Sequence, residues 1–389
     1  MKNIFKKVLL VNIFALTTFS VFAQSEDLNP ISTAMPSLSI APDARGGGMG
    51  DAGVATAPDA YSQHWNPAKY AFAISKAGFG LSYTPWLRKI VNDVALVYGV
   101  GYYKLGTENN QALSASIRYF SIGDISVTNQ YGHFLNSVAP YEMAFDIGYS
   151  RKLTSTFSGA ITLRYIRTDY SGADEEISAG NAFAADVAGY NESYINIGNS
   201  ESLLSFGFNI SNIGTKMSTT GGTRKDFLPT NLRLGASLMY PLNDVSTISV
   251  SADINKLLVP TKPLAEEGES QQDYNTRLED DYYSMSPIKG IFKSFGDAPG
   301  GFSEEMKEIA LSIGAEYDYD DKFRIRAGYF HENKMKGNRR YATFGAGFKL
   351  TAFQLDVAYL LATANQNPLD QTLRFSLAFD IDGMKNLFK

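Results

Sequence analysis

The chain contains no cysteine, only three histidines and only two tryptophans among its 389 residues. Without thiols there can be no disulfide framework, no thiolate metal site and no lipid-modified N-terminal cysteine. The histidines, His64, His133 and His331, lack ligand-like spacing. They give neither convergent metal ligands nor a base set beside a nucleophile. Beyond the first 23 residues no run approaches the roughly 18 apolar residues of a membrane-spanning helix. The formal net charge of −5 is mild and gives no reason to expect a nucleic-acid partner. The expectation is therefore a chain with no enzyme active site, no cofactor and no metal.

What is present begins with an export signature. Lys2, Lys6 and Lys7 precede a mostly apolar stretch over 8–21, and Val21-Phe22-Ala23 suits signal peptidase. The pattern predicts a signal peptide over 1–23, cleaved before Gln24. The remainder is rich in aromatics and glycine, with 23 Tyr, 25 Phe and 34 Gly in the whole chain. That composition, in an exported chain without helical spans, is typical of a transmembrane β-barrel.

Period-two alternation supports the same fold. Phe353, Leu355, Val357 and Tyr359 share one face against Gln354, Asp356 and Ala358. Leu373, Phe375, Leu377 and Phe379 likewise oppose Arg374, Ser376 and Asp380. The second face is small or sparsely charged, which suits a confined polar lumen better than bulk water. Fourteen such segments are expected: 77–85, 94–104, 111–121, 141–151, 155–168, 182–191, 201–213, 229–240, 245–257, 307–318, 322–332, 340–350, 352–361 and 371–380. Short connections alternate with long ones such as 122–140, 169–181, 214–228 and 258–306, as periplasmic turns alternate with outer loops. The fold class is all-β: an antiparallel transmembrane barrel of about 14 strands over 77–389. The outer membrane is its expected location.

Two regions fall outside the strand pattern. Residues 24–76, rich in Gly, Ala and Pro, are expected to fill the lumen as a plug. The long outer loop 258–306 should be mobile in its acidic first half and form a short amphipathic helix around 287–295. Gly48, Gly50 and Gly53 match a dinucleotide fingerprint, but the strand, helix and parallel sheet that motif needs are missing from the pattern. Close packing of the plug on the barrel wall explains them better. Inward charges are expected at Arg118, Asp146, Arg164, Asp186, Arg233, Arg324, Arg326, Asp356 and Arg374. Mutual pairing, and pairing with the plug, is favoured over an open conducting pore.

The plug also carries a resemblance. Residues 42–56 (Pro-Asp-Ala-Arg-Gly-Gly-Gly-Met-Gly-Asp-Ala-Gly-Val-Ala-Thr), Pro58-Asp59-Ala60 and His64-Trp65-Asn66-Pro67-Ala68-Lys69-Tyr70-Ala71-Phe72 resemble the N-terminal signature of the PorV (LptO) family. That family lies within the FadL-like barrel superfamily. Gly180-Asn181-Ala182-Phe183-Ala184-Ala185-Asp186 is similar to it too, and the likeness covers essentially the whole mature chain. The resemblance implies a role in type IX secretion. Such proteins receive cargo through its C-terminal signal domain at the cell surface. They carry it from a SprA-type translocon to a PorU-type sortase complex that anchors it to lipopolysaccharide. No catalytic residue is carried over. Arg45, Gly48, Gly50, Gly53, Trp65, Asn66 and Pro67 are expected to be structural in the plug. Exposed apolar groups for cargo contact are expected at Trp86, Leu87, Phe134, Leu135, Phe227 and Leu228. The competing reading is a FadL-like transporter of hydrophobic small molecules.

Overall fold

The computed structural model describes residues 28–383 apart from 89–90, 107, 172–177, 219–221, 223, 267 and 365–368. The expected signal peptide lies outside the described residues. The strands run in chain order as β1 (Ala77–Pro85), β2 (Ala95–Leu105), β3 (Gln111–Ser121), β4 (Ile125–Thr128), β5 (Phe134–Val138), β6 (Tyr141–Lys152), β7 (Phe157–Asp169) and β8 (Gly180–Ile197). They continue as β9 (Ser200–Gly214), β10 (Asn231–Asn243), β11 (Ser246–Leu257), β12 (Ile309–Tyr319), β13 (Phe323–His331), β14 (Arg340–Lys349), β15 (Phe353–Ala362) and β16 (Leu373–Asp380). All but β4 and β5 close into one antiparallel barrel, with neighbours in sequence pairing and β1 meeting β16. Closure matters because an unpaired strand edge cannot be satisfied in lipid. Among the described residues no helix is long and apolar enough to cross a membrane.

Alternation is what makes these segments barrel strands. On β3, Leu113, Ile117 and Tyr119 are exposed while Ala112, Ser114, Ser116 and Arg118 are buried. Exposed Ile147, Ile161, Leu163, Ile313 and Ile325 continue the outward apolar face around the barrel. Aromatics bracket this face, with Tyr83, Tyr119 and Phe183 toward the long loops and Tyr103, Tyr149, Tyr319 and Phe323 toward the short turns. Such girdles place amphipathic rings at the two membrane interfaces. By the usual asymmetry of these barrels, the long-loop end is the outer one and the short-turn end the periplasmic one.

The barrel departs from the sequence expectation in three places. β8 runs six residues past its apolar pattern, through Glu192, Ser193 and Tyr194 to a turn at Gly198, because β9 supplies partners as far as Ile197. The connection 122–140 holds an additional hairpin, β4 with β5. The long loop is folded through its acidic half: a helix Gln271–Leu278, capped by Ser270, continues into Glu279–Tyr283. Leu278, Tyr282 and Met285 from this half pack against Phe227 and Val259, which gives a polar stretch an apolar anchor. The helix expected in the second half is present at Pro287–Lys293.

Residues 34–73 lie inside the barrel, threading short helical pieces across the lumen. The helix Ala44–Gly48 is bonded to β16 where the Ala44 amide donates to Ser376 Oγ at 2.8 Å. The 3-10 segment Pro67–Phe72 lies on β6, β7 and β8, and the Ser158 hydroxyl donates to the Ala68 carbonyl at 2.7 Å. Tyr61 reaches the seam where the first and last strands meet. Its hydroxyl contacts the carbonyls of Leu81 and Leu377, both at 2.9 Å, and these two residues are register partners across β1 and β16.

Candidate functional site

The plug is built around Trp65, which is 2 % exposed. A side chain at Gly46 or Gly53 would place its Cβ 2.3 or 2.4 Å from the Trp65 ring, so both glycines exist as seats for the indole. The indole Nε1 donates to Asp43 at 2.6 Å, and the other Asp43 oxygen caps the helix Ala44–Gly48 by accepting from the Gly46 amide at 2.8 Å. One carboxylate thus orients both the ring and the helix above it. Asn66 and Pro67 then start the Pro67–Phe72 turn. Asn66 Oδ1 accepts from the Ala68 amide at 3.1 Å, while its Nδ2 donates to the carbonyls of Val54 and Gly189 at 2.9 Å. The Trp-Asn-Pro-Ala sequence is therefore a ring, a cap and a helix-compatible first residue in consecutive order.

Gly48 and Gly50 press against the wall. A Cβ on Gly48 would sit 3.2 Å from Gly345 Cα. Gly50 has φ +68°, and a Cβ there would lie 2.5 Å from the Tyr329 amide nitrogen. The wall answers with glycines of its own, since a Cβ on Gly328 would fall 2.1 Å from the Gly50 nitrogen. These backbones touch, which only glycine on both sides permits.

Charge pairing holds the periplasmic half of the lumen together. Arg45 of the plug bonds Asp59 at 2.8 Å and Glu316 of β12 at 3.0 Å. Arg326 bonds the same Glu316 at 2.5 Å and Asp356 at 2.6 Å. Arg324 pairs with Asp318, while nearer the outer rim Arg374 of β16 pairs with Asp51 of the plug at 3.2 Å. Deeper toward the outer side Arg164 bridges Asp146 at 2.6 Å and Asp186 at 2.9 Å. The expected pairing of inward charges is thus present for these groups. Two carboxylates that pattern-reading missed carry much of it. Glu316 is shared by Arg45 and Arg326, and Asp253 accepts from the Gly53 and Val54 amides at 2.7 and 3.0 Å.

Above the plug lies a cavity of about 90 Å³, lined by Trp65, His64, Arg118, Arg233, Asn212 and outer-connection residues including Arg339. Among the described residues no group of three or more His, Asp or Glu is arranged to hold a metal. A wider vestibule of about 680 Å³ opens on the periplasmic side around Asp59, Asp318 and Lys349.

The six expected contact residues separate into three pairs. Phe134 and Leu135 stand exposed on β5. Trp86 and Leu87 are half-buried just beyond β1, where the Trp86 amide donates to the Val94 carbonyl at 2.9 Å. Phe227 and Leu228 are instead buried, at 4 and 2 % exposed. Phe227 sits under the long loop, edge-on to Tyr282 with ring centroids 5.3 Å apart and with the Lys216 ammonium 4.1 Å from its ring centre. Leu228 packs into a cluster with Met35, Leu38 and Ile166. An apolar pair in an outer connection here anchors the loop above it and the plug beneath it. Exposed apolar groups that the spacing did not single out occur on the long loop itself, at Phe292, Phe295 and Phe302.

A closed 14-stranded barrel with a lipid-facing apolar band, aromatic girdles and a segment threaded through its lumen defines an integral outer-membrane β-barrel protein. The crystal structure of the Pseudomonas putida toluene transporter TodX is similar in fold, with TM-score 0.50 and 11% identity over 91% of this chain and 99% of that one. The Ralstonia pickettii toluene transporter TbuX gives TM-score 0.44 at 12% identity, over 87% and 96% of the two chains. A Pseudomonas aeruginosa FadL homologue gives 0.42 at 12% identity, over 91% and 99%. No curated protein sequence matches the chain. The family model described as type IX secretion system protein PorV matches residues 23–264, and the chain belongs to that family. Its role accordingly lies in type IX secretion.

Proposed function

We propose that this protein is an outer-membrane shuttle of type IX secretion. It binds the C-terminal signal domain of secreted cargo at the cell surface. It then passes the cargo from a SprA-type translocon to a PorU-type sortase complex, where cargo is attached to lipopolysaccharide. The chemistry of cleavage and attachment belongs to the partner, and this chain acts without catalysis. The observation that carries the reading is the family match over residues 23–264.

The geometry agrees with a carrier better than with a conduit. Arg45, Trp65 and Asn66 tie the plug to the wall through buried bonds, so passage through the lumen would require breaking many of them at once. The outer surface meanwhile offers exposed Phe134 and Leu135 on a projecting hairpin and Phe292 and Phe295 on the long loop, the kind of groups that anchor a partner. A FadL-like transporter of hydrophobic small molecules has the support of fold alone, and a cavity lined by arginines suits such cargo poorly.

The test is deletion of the gene in the native host with cargo followed by fractionation. A shuttle predicts signal-domain cargo held in the periplasm. A Phe134→Ser/Leu135→Ser chain should restore barrel assembly but only part of the secretion. Normal secretion in the deletion strain, with loss of uptake of an apolar solute, would replace this reading with the transporter.

A further inference from the structure

The second half of the long loop turns its apolar groups outward. The helix Pro287–Lys293 is seated on its inner side, where a Cβ on Gly290 would fall 2.7 Å from the Phe227 ring and 3.2 Å from Pro260. Ser286 caps its start, and the buried Ser294 closes its end. Ile288 and Phe292 lie one turn apart on the opposite side, and Phe295 follows in the closing turn. These three side chains are 56, 75 and 55 % exposed, although the helix that carries them is capped and packed. Phe302 and Met306, further along, are exposed as well.

The charges of this stretch are sorted by sign. Glu304, Glu305 and Glu308 are buried. The Lys256 ammonium bonds Glu305 at 3.1 Å and Glu308 at 2.7 Å, while Lys336 bonds Glu304 at 2.6 Å and Glu308 at 3.0 Å. Asp297 is half-buried, with its carboxylate on the Thr261 amide. Lys289 and Lys293, in contrast, are exposed. The outward surface of the helix is therefore apolar and cationic.

Strand register fixes where that surface stands. Leu234, Ile254 and Leu311 are partners across β10, β11 and β12, and all three are exposed on the lipid-facing side of the barrel. Side chains two residues apart on a strand share a face, so Lys256 lies on the same side as Ile254, one step nearer the outer rim. Lys256 is nonetheless buried. Glu305 and Glu308 bond it, and the Phe295 ring centre lies 5.8 Å from its ammonium. The loop thus reaches the outward flank of the barrel directly above the apolar band, and its exposed face continues that band.

We propose that this part of the long loop is a membrane anchor, seated in the lipid surface of the outer leaflet beside β10–β12. Ile288, Phe292 and Phe295 enter the boundary between headgroups and acyl chains, and Lys289 and Lys293 meet anionic headgroups. Continuity with the band below and the sign of the outward charge favour lipid over a polypeptide as the occupant. The partner that Phe292 and Phe295 hold is then the membrane itself, and protein contact falls to Phe134 and Leu135. The inference rests on the outer-membrane location and does not depend on the secretion role.

Because the chain has no cysteine, an introduced one can be labelled uniquely. The full chain carrying Phe292→Cys bears an environment-sensitive fluorophore and is reconstituted in nanodiscs of phosphatidylcholine and phosphatidylglycerol. Part of the lipid carries a nitroxide quencher near its headgroup. Leu234→Cys, in the lipid-facing band, and Leu135→Cys, on the projecting hairpin, are the references. The expected result is a loss of fluorescence at 292 comparable to that at 234, with little at 135. Omitting phosphatidylglycerol, or combining Lys289→Gln with Lys293→Gln, should weaken the quenching at 292 severalfold. Quenching indifferent to both changes overturns the role given to the lysines. Heat-modified gel migration checks that each variant is a folded barrel, and Ile288→Cys decides should Phe292→Cys fail that check. Quenching at 292 and 288 no greater than at 135, while 234 is quenched, overturns the anchor and leaves the patch to a polypeptide.

Discussion

The two halves of the lumen are built from the same residue types to opposite ends. In the periplasmic half, Arg45, Arg324 and Arg326 are each met by carboxylates, and Glu316 serves two of them. In the outer half, Arg118 and Arg233 meet carbonyls, an amide and aromatic faces. A paired buried ion is held by its geometry, whereas an unpaired one spends stability to remain charged. The periplasmic half therefore fastens its arginines by charge, whereas the outer half sets the paired Arg164, held between Asp146 and Asp186, beside two arginines held by neutral groups.

The difference can be broken most severely at the centre of the plug. Trp65→Ala removes the ring on which Gly46 and Gly53 sit and orphans an Asp43 oxygen, and should cost about 3–5 kcal/mol. Heat-modified gel mobility would show the folded band lost roughly ten degrees earlier. Glu316→Gln comes close behind, because it leaves Arg45 and Arg326 short of a charge, at about 3 kcal/mol or more. The sharpening experiment is its counterpart across the lumen. Arg233→Gln should cost under about 1 kcal/mol or stabilise the barrel, measured by the same thermal assay. Equal losses from the two substitutions would erase the distinction between the halves.

Gly50→Ala should cost about 1–3 kcal/mol, because φ is positive and the wall backbone is already in contact. The smallest expected effect lies on the long loop, where Asp297 accepts from the Thr261 amide at 3.1 Å. Burial, helped by Glu305 and Glu308, raises its pKa to about 6. A carboxyl raised in the folded loop binds its proton more tightly there than when unfolded, so the loop gains stability as pH falls through about 6 and loses it as pH rises past that value. Amide protection factors over 258–308, corrected for the intrinsic pH dependence of exchange, should rise between pH 7 and pH 5.5, and Asp297→Asn should remove most of that rise.

Much of the architecture is legible in the alternation of apolar and small or charged residues, because lipid on one side and a filled lumen on the other enforce a strict period of two. β1 and β3 end where the pattern ends. Legibility fails where a tertiary partner overrides that pattern. Glu192 to Ile197 read as loop yet continue β8, since β9 offers backbone bonds. Phe227 and Leu228 read as exposed anchors, but a folded loop above and a plug below bury them. Glu316 lies in an expected strand, but its role shows only when Arg45 arrives from 271 positions away to share it with Arg326 of the next strand. The plug signature was readable as a motif, while the reason for it, an indole seated on two glycines, is visible only in three dimensions.

The position of Tyr61 at the meeting of β1 and β16 ties barrel closure to plug insertion. Parting that seam would sacrifice the Tyr61 bonds to Leu81 and Leu377, the hydrogen bond from Ser82 to the Pro42 carbonyl and the bond from the Ala44 amide to Ser376, in addition to the ladder itself. The first and last strands are thus riveted from within by residues that precede both in the chain. A barrel of this design resists sideways unzipping at the very joint where other barrels would be weakest, and its assembly is complete only when the rivet is in place.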